Sequence, residues 1–246
     1  DDDSNLKPEI IIKVPKPKSI TTESEIIITD NGSGMTIEQL NESLRAGWSG
    51  NGSVDKLGLF GMGFNVATAR LGGKTTVSTC RADDDSVHTV TIDHQKLEAS
   101  GEFITPTKSI VKPAGQEQTH GTEVRITDLN LEHITSLRKR TKIVKELGKA
   151  YSRILRKKNI KLVYDGHTCK PFIHCHWGST RVGKNNTNAI IDIDRVIDSK
   201  RYCKACWVWL VDAETECPSC GETSSLITRD RRVKGWIGIQ RFFDKE

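Results

Sequence analysis

The stretch Ile26-Ile-Ile-Thr-Asp-Asn-Gly-Ser-Gly-Met-Thr-Ile-Glu-Gln-Leu40 decides how the rest of the chain is read. It opens as a β-branched run, breaks at Asp30-Asn31-Gly32, carries a second glycine at Gly34 and then turns helical. β-Branched residues suit a pleated strand, and Asp, Asn and Gly supply turn chemistry. Thr36 and Gln39 have the spacing of a capping box, so a helix is expected from Thr36 to about Ala46. A carboxylate at a strand end inside a glycine-rich turn has three readings: an ordinary turn, a calcium loop or a nucleotide pocket. The calcium loop fails. Counted from Asp30, the third and fifth positions are Gly32 and Gly34 and the twelfth is Asn41, where an EF-hand needs oxygen ligands and a glutamate.

An ordinary turn would explain Asp-Asn-Gly alone. The next block, LGLFGMGFNVATARLGG at 57–73, shifts the balance. Gly58, Gly61 and Gly63 precede a helix expected from about Phe64 to Leu71, after a glycine-rich loop over 47–63. Glycines let backbone amides approach an anion, and the helix N-terminus presents its positive dipole end. A Rossmann pocket would place its glycines directly after a strand, but NGSVDK precedes them here; a P-loop would need Gly-Lys-Ser/Thr, which does not follow. The combination describes a pocket with one end for a base and one for phosphates.

Strands are expected at Glu9–Val14, Ser24–Asp30, Lys74–Cys80, Ser86–Asp93, Gly121–Leu129 and Ile160–Gly166. One long helix is expected from His133 to Lys158, with Leu137, Val144, Leu147, Tyr151, Ile154 and Leu155 on one side. Composition shifts toward Cys, His and Trp beyond Asp165, which suggests domains at 1–165 and 166–246. The 246 residues are 35% hydrophobic and 28% charged with net charge +5, and no apolar run reaches the ~20 residues of a membrane span. The acidic start DDDSNLKPE has no signal-peptide pattern. Seven cysteines, an odd number with the last four tightly paired, fit a reducing compartment and a metal better than disulfides.

The motifs DNGSGM, LGLFGMGF and HGTEVRI, in this order, resemble three motifs of the GHKL ATPases, and LRAGWSGNGSVDKLGLFGMGF is similar to the Microrchidia-like branch. The resemblance covers roughly residues 9 to 165. It implies an α+β fold: a Bergerat-type mixed sheet with helices on one face, followed by an incomplete second α/β domain. It implies that Asp30 accepts from the adenine amino group, that Gly34 and Met35 lie against the base, and that Thr122 backs up Asp30. Gly58, Phe60, Gly61, Met62, Gly63 and Phe64 would form the lid end and phosphate cradle, with Lys56 as a lid contact. ATP, magnesium, an ATP-dependent homodimer and ATP hydrolysis in the parent protein follow from the same resemblance. The family's Glu-x-x-x-Asn-x-x-Asp-Ala helix, which supplies the general base and a magnesium ligand, has no counterpart here. The expectation is therefore that this chain starts inside its parent, that no residue of it is catalytic, that magnesium is held by the segment upstream, and that in this chain nucleotide binding is impaired and hydrolysis absent.

Cys203-x-x-Cys206 and Cys217-x-x-Cys220, with Pro218 and Gly221 at the second turn, have the spacing of a zinc ribbon at about 200–223. Four protein ligands close the site, so its role would be structural. HTCKPFIHCHW (His167 to Trp177) reads as a strand whose His and Cys alternate between faces, not as a second metal site. The helix before Lys158 is heavily basic; a solvated face is its ordinary meaning, and nucleic acid stays open as a partner. The overall expectation is the ATP-binding domain of an ATP-driven conformational switch in the cytoplasm, nucleus or nucleoid. Its alternative is a non-catalytic module binding nucleic acid or protein through ribbon and basic helix. Phosphotransfer to a protein histidine is disfavoured, because no phosphoacceptor helix hairpin is present.

Overall fold

The computed structural model describes residues 7–16, 20–21, 23–45, 61–101, 105–115, 119–134, 137, 139–172, 189–206, 208–211 and 214–238. The chain divides into two compact units, with the division between Phe172 and Ile173.

The first unit runs β1 (Glu9–Lys13), β2 (Ile26–Asp30), α1 (Ile37–Leu44), α2 (Gly63–Leu71), β3 (Gly72–Cys80), β4 (Ser86–Asp93), α3 (His94–Ser100), β5 (Lys108–Val111), β6 (Gly121–Leu129), α4 (Leu131–Ile134), α5 (Arg140–Ala150), α6 (Ser152–Lys157), β7 (Lys161–Tyr164) and β8 (His167–Thr168). Its strands form one sheet in the order β5-β4-β3-β6-β2-β1-β7-β8. The sheet is mixed: β1 and β7 are parallel and every other neighbouring pair is antiparallel.

Register explains where the core sits. Tyr164, Ile12, Ile28, Val124, Val77 and Val90 are successive partners across β7, β1, β2, β6, β3 and β4. Side chains alternate faces along each strand, so this row and the rows two residues away share a face. All six residues belong to the apolar clusters that also take in Leu40 and Leu44 of α1, Phe64 of α2, Leu97 of α3 and Leu155 of α6. The helices therefore cover one face. The other carries hydroxyl and charged pairs: Thr76 to Thr91 at 3.0 Å, Ser78 to Thr89 at 3.0 Å, and Arg125 with Glu123 and Glu25.

One row on the covered face is polar. Asp30, Thr122, Thr79, His88 and Ser109 are successive partners across β2, β6, β3, β4 and β5. A sheet that otherwise buries Ile, Val and Leu on this face has a hydrophilic line at one level.

The single helix expected from His133 to Lys158 is broken into α4, α5 and α6. The break at Tyr151 has a cause distant in sequence. In an unbroken helix the Gly148 carbonyl would accept from the Ser152 amide. Here it accepts from the Phe172 amide at 3.2 Å, while the Ser152 hydroxyl donates to the Phe172 carbonyl at 2.7 Å. A side chain at Gly148 would meet the Lys170 carbonyl oxygen at 2.1 Å, so only glycine lets the chain pass this close. The expected strand through His167 and Cys169 is only the two-residue β8, with Cys169 buried in the core beyond it; His174, Cys175 and His176 lie outside the described residues. α3 and β5 were not legible as periodic segments.

The second unit is a long antiparallel ribbon of β9 (Ile190–Cys203) and β10 (Leu226–Gly238). Arg231 pairs with Asp198 and Arg232 with Val196, which leaves Ile197 as a bulged residue. Its buried cluster, Cys203, Leu210 and Cys217, lies at the end where the ribbon's strands are joined. Trp209 bridges to Tyr202, with ring centroids 5.2 Å apart.

Candidate functional site

The turn after β2 is specified atom by atom. The Asp30 carboxylate accepts from the Gly32 amide at 2.8 Å through Oδ1. Asn31 ties the turn to the start of β1: its Oδ1 accepts from the Glu9 amide at 2.7 Å and its Nδ2 donates to the Lys7 carbonyl at 3.0 Å. His120 Nδ1 donates to the Gly32 carbonyl at 2.7 Å. Gly34 has φ +72°, and a β-carbon there would lie 1.8 Å from the Cys80 carbonyl oxygen. Gly121 has φ +124°, and a β-carbon there would lie 2.2 Å from the Asp30 carbonyl oxygen. Both glycines are needed for a backbone approach that no side chain allows. The capping box is present: the Gln39 amide donates to Thr36 Oγ1 at 3.3 Å and the Thr36 amide to Gln39 Oε1 at 3.0 Å.

Thr79 joins the parts. Its hydroxyl donates to the Gly121 carbonyl at 3.0 Å and accepts from the Met35 amide at 3.0 Å. Thr122 Oγ1 lies 3.2 Å from it. Since the one proton on Thr79 is committed to Gly121, the Thr122 hydroxyl is the donor in this pair, and its oxygen keeps its lone pairs as acceptors. Asp30, the exposed cross-strand partner of Thr122, keeps Oδ2 as a second acceptor. Asp30 is exposed because its strand ends at the surface, where water meets the cost of the charge. Two acceptor oxygens on adjacent strands suit a group with two N–H donors.

Met35 and Phe64 pack against the same cluster as Leu40, Val77 and Val90, which brings the turn after β2 and the start of α2 together. Gly61, with φ +60°, and Met62 precede α2, whose N-terminus has no side-chain cap. Its first amides are thus free of side-chain acceptors, as an anion site requires. Lys56, Gly58 and Phe60 lie outside the described residues. Sequence reasoning missed Thr79 and His120: a threonine inside a strand gives no sign of which neighbour it bonds.

A cavity of about 1160 Å³ opens elsewhere in this unit, lined by Leu44, Asn65, Val66, Val90, Leu97 and Thr107 among others. None of the expected site residues borders it, so volume and chemistry point to different places; the polar row carries the assignment because it has the directed acceptors.

In the second unit the sulfurs of Cys203, Cys206, Cys217 and Cys220 all lie within 4.8 Å of one another. Three of the separations are 3.2, 3.5 and 3.6 Å. Tetrahedral zinc with bonds of about 2.3 Å puts its sulfurs about 3.8 Å apart, so the four thiols are compatible with such an ion. The second knuckle closes as expected, with Gly221 at φ +69° and its amide donating to the Cys217 carbonyl at 2.8 Å. Burial pushes the Cys217 thiol up, but hydrogen bonds from the Ser219 amide, the Cys206 thiol and the Cys220 amide and thiol outweigh it and hold Cys217 at about 7. Cys206 is pushed up by its bond to Cys217, and for Cys220 the pull of the Glu222 amide is outweighed by bonds to the other cysteines, which push it up to about 12; within the cluster Cys217 is the thiol held toward thiolate, the ligand form.

Residues 4–122 match the family described as histidine kinase-, DNA gyrase B- and HSP90-like ATPase. The chain is also similar to the chaperone protein HtpG of Rickettsia prowazekii (strain Madrid E), at 30% identity over 202 residues. That alignment takes in 76% of this chain and 27% of the relative, so the chain spans about a quarter of the relative's length. With a large mixed sheet and helices that fit a GHKL-type α+β fold, these two likenesses support placing the chain in the GHKL superfamily.

Proposed function

We propose that the first unit binds ATP and serves as the nucleotide domain of an ATP-driven conformational switch. Asp30 Oδ2 and Thr122 Oγ1 accept from the adenine amino group, Gly34 and Met35 lie against the base, and Gly61, Met62, Gly63 and Phe64 present amides to the phosphates. Lys56, Gly58 and Phe60 complete the lid end in this reading. What carries it is the pair of unspent acceptors at Asp30 and Thr122, placed side by side by strand register. An exocyclic amino group has two donors to give them, whereas guanine presents a carbonyl at the same position. The likenesses to ATPases support the class of ligand.

ATP supplies a γ-phosphate whose presence or loss holds or releases a lid. This chain's part is to bind and orient: the base end is rigid because Thr79, Asn31 and His120 fix the turn, and the phosphate end is a helix N-terminus. Magnesium binding, hydrolysis and dimer closure belong to the whole protein and are proposed for it alone. The four cysteines are proposed to hold a structural zinc ion.

Calorimetric titration with magnesium and ATP tests the reading, with magnesium and GTP as the comparison. Wild type should prefer ATP. Asp30→Asn keeps an Oδ1 for the Gly32 amide but turns an NH₂ toward the amino group, donor against donor, and should lose about 10- to 100-fold in affinity, the worth of a charge-assisted hydrogen bond. Equal ATP affinity of wild type and Asp30→Asn, or equal affinity for ATP and GTP, would sink the assignment.

A further inference from the structure

The surface cations of the first unit fall into two sets. On the sheet and its loops several are matched: Lys74 lies 2.9 Å from Asp128, Arg81 2.8 Å from Asp83, Lys161 2.6 Å from Glu9, and Arg125 sits between Glu25 and Glu123. On the helix pair α5–α6, among the described residues, only Arg140 is matched, by Asp165. Residues 139–158 hold nine Lys and Arg against Glu146 alone, a balance of +8. The whole chain carries +5, so everything else sums to −3, and the positive charge of the protein is concentrated on this one element.

The helix pair arranges that charge in a line. Lys142, Lys145, Lys149, Arg153 and Arg156 follow one another at steps of three, four, four and three, which keeps them on one side of a helix, and all five are exposed. The ladder continues through the junction: the Tyr151 amide donates to the Leu147 carbonyl at 3.0 Å and the Leu155 amide to the Tyr151 carbonyl at 2.9 Å. Ile143, Val144, Leu147 and Leu155 face the opposite way, into the core. Among the described residues none of the five cations has a carboxylate partner, and the one further contact is Lys149 over the Phe172 ring at 5.9 Å. Five unmatched like charges on one ridge repel one another, and a bound polyanion relieves that repulsion.

We propose that the ridge from Lys142 to Arg156 is a docking surface for the phosphate backbone of a nucleic-acid duplex. The fourteen helical steps from Lys142 to Arg156 span about 21 Å. At about 3.4 Å of axis per phosphate on one strand, that length faces about six phosphates, close to one per cation. The helix cannot leave the sheet to enter a groove, because Gly148 and Ser152 are bonded to Phe172 and the Gly148 backbone lies against Lys170. Kept out of the groove, the ridge meets phosphates and not base edges, so it grips backbone and not sequence. A bilayer is a poorer fit: the apolar residues of the helix pair are packed inward except Tyr151, which leaves almost nothing to insert. This surface stands apart from the nucleotide reading and does not depend on it.

The test is fluorescence anisotropy with a fluorescein-labelled 20-base-pair duplex across a potassium chloride series. Five phosphate contacts predict a slope of log K against log salt of about −4.5, and a second, unrelated duplex should bind equally well. The variant Lys142→Ala/Lys145→Ala/Arg153→Ala/Arg156→Ala should bring the slope toward −1 and lower affinity at least about 30-fold at low salt. Its circular dichroism should match wild type and its urea midpoint should be no lower, since exposed substitutions of this kind leave the fold intact. The proposal is overturned if wild type does not bind the duplex at low salt, or if the quadruple variant binds with wild-type affinity and slope. Tighter binding of wild type to phosphatidylserine vesicles than to duplex at equal ionic strength would overturn it too, in favour of a membrane.

Discussion

The strand-end site and the cysteine cluster reach their geometry by opposite routes. Around Asp30, the contributing residues come from β2, β3, β6 and the loop before β6, and sheet register brings them together with a full apolar core beneath. The scaffold exists whether or not a ligand does. In the second unit the four thiols are themselves much of the core, since two of the three fully buried residues in its cluster are Cys203 and Cys217. Elsewhere the ribbon is two strands with Ile191, Ile197, Val233 and Ile237 exposed, and an isolated two-stranded ribbon is marginal in water. One site is built by the fold; the other builds the fold around it.

The largest expected effect breaks that comparison at the cysteines. Structural zinc contributes an apparent ~10–16 kcal/mol in small cysteine-rich modules, more than a two-stranded ribbon can replace. Chelation, or Cys217→Ser, should abolish hydrogen-exchange protection across β9 and β10 while leaving β3 and β6 protected. Retained protection in the ribbon after chelation would mean that its own packing suffices and that metal is not its scaffold.

Next in size are the glycines at the strand-end site. Gly34→Ala and Gly121→Ala each put a β-carbon into backbone and force a non-glycine residue to positive φ. Each should lower stability by about 2–4 kcal/mol, read from the urea midpoint, because neither the carbonyl of Cys80 nor that of Asp30 can move without disturbing a strand end. Adding zinc should not rescue either variant. Rescue would join the two sites that the comparison separates.

How much of this was legible depended on whether a residue's role is local. The turn chemistry of Asp30-Asn31-Gly32, the capping box at Thr36 and Gln39 and the Cys-x-x-Cys pairs act over two to four residues, and each was readable from spacing. The edges of β4 and β6 followed from alternation. The helix break at Tyr151 was not readable, because it depends on Phe172, far along the chain, taking the Gly148 carbonyl. Nor was Thr79: its place in the site comes from partners on β6 and in the turn before α1, which only register reveals. α3 and β5 are short, and β5 is exposed throughout, so neither carries a periodic apolar signal.

A smaller effect sharpens the base and phosphate ends of the strand-end site. A β-carbon at Gly63 meets nothing within 4 Å, in contrast to Gly34 and Gly121. Gly63→Ala should therefore hold or raise stability, by up to about 1 kcal/mol, since alanine loses less entropy in a helix. Nucleotide affinity should fall in the same variant, because its side chain crowds the amides proposed to meet phosphate. Loss of stability without loss of affinity would reverse the roles assigned to the two kinds of glycine.

The smallest effect lies at the far end of the polar row. His88 Nε2 is 2.7 Å from Asp84 Oδ2, and its Nδ1 is 2.8 Å from Ser109 Oγ. The hydrogen bond from His88, helped by the Ser86 amide and Lys112 and opposed by burial, holds the Asp84 carboxyl below its ordinary 3.8. A carboxyl with a lowered folded value stabilises the protein above 3.8 and loses that contribution as pH falls through the lowered value. Asp84→Asn removes the titration, so wild type should have the higher urea midpoint at pH 6 and the gap should close toward pH 3. A gap that stays constant over this range would show that Asp84 acts through the shape of its turn and not through its charge.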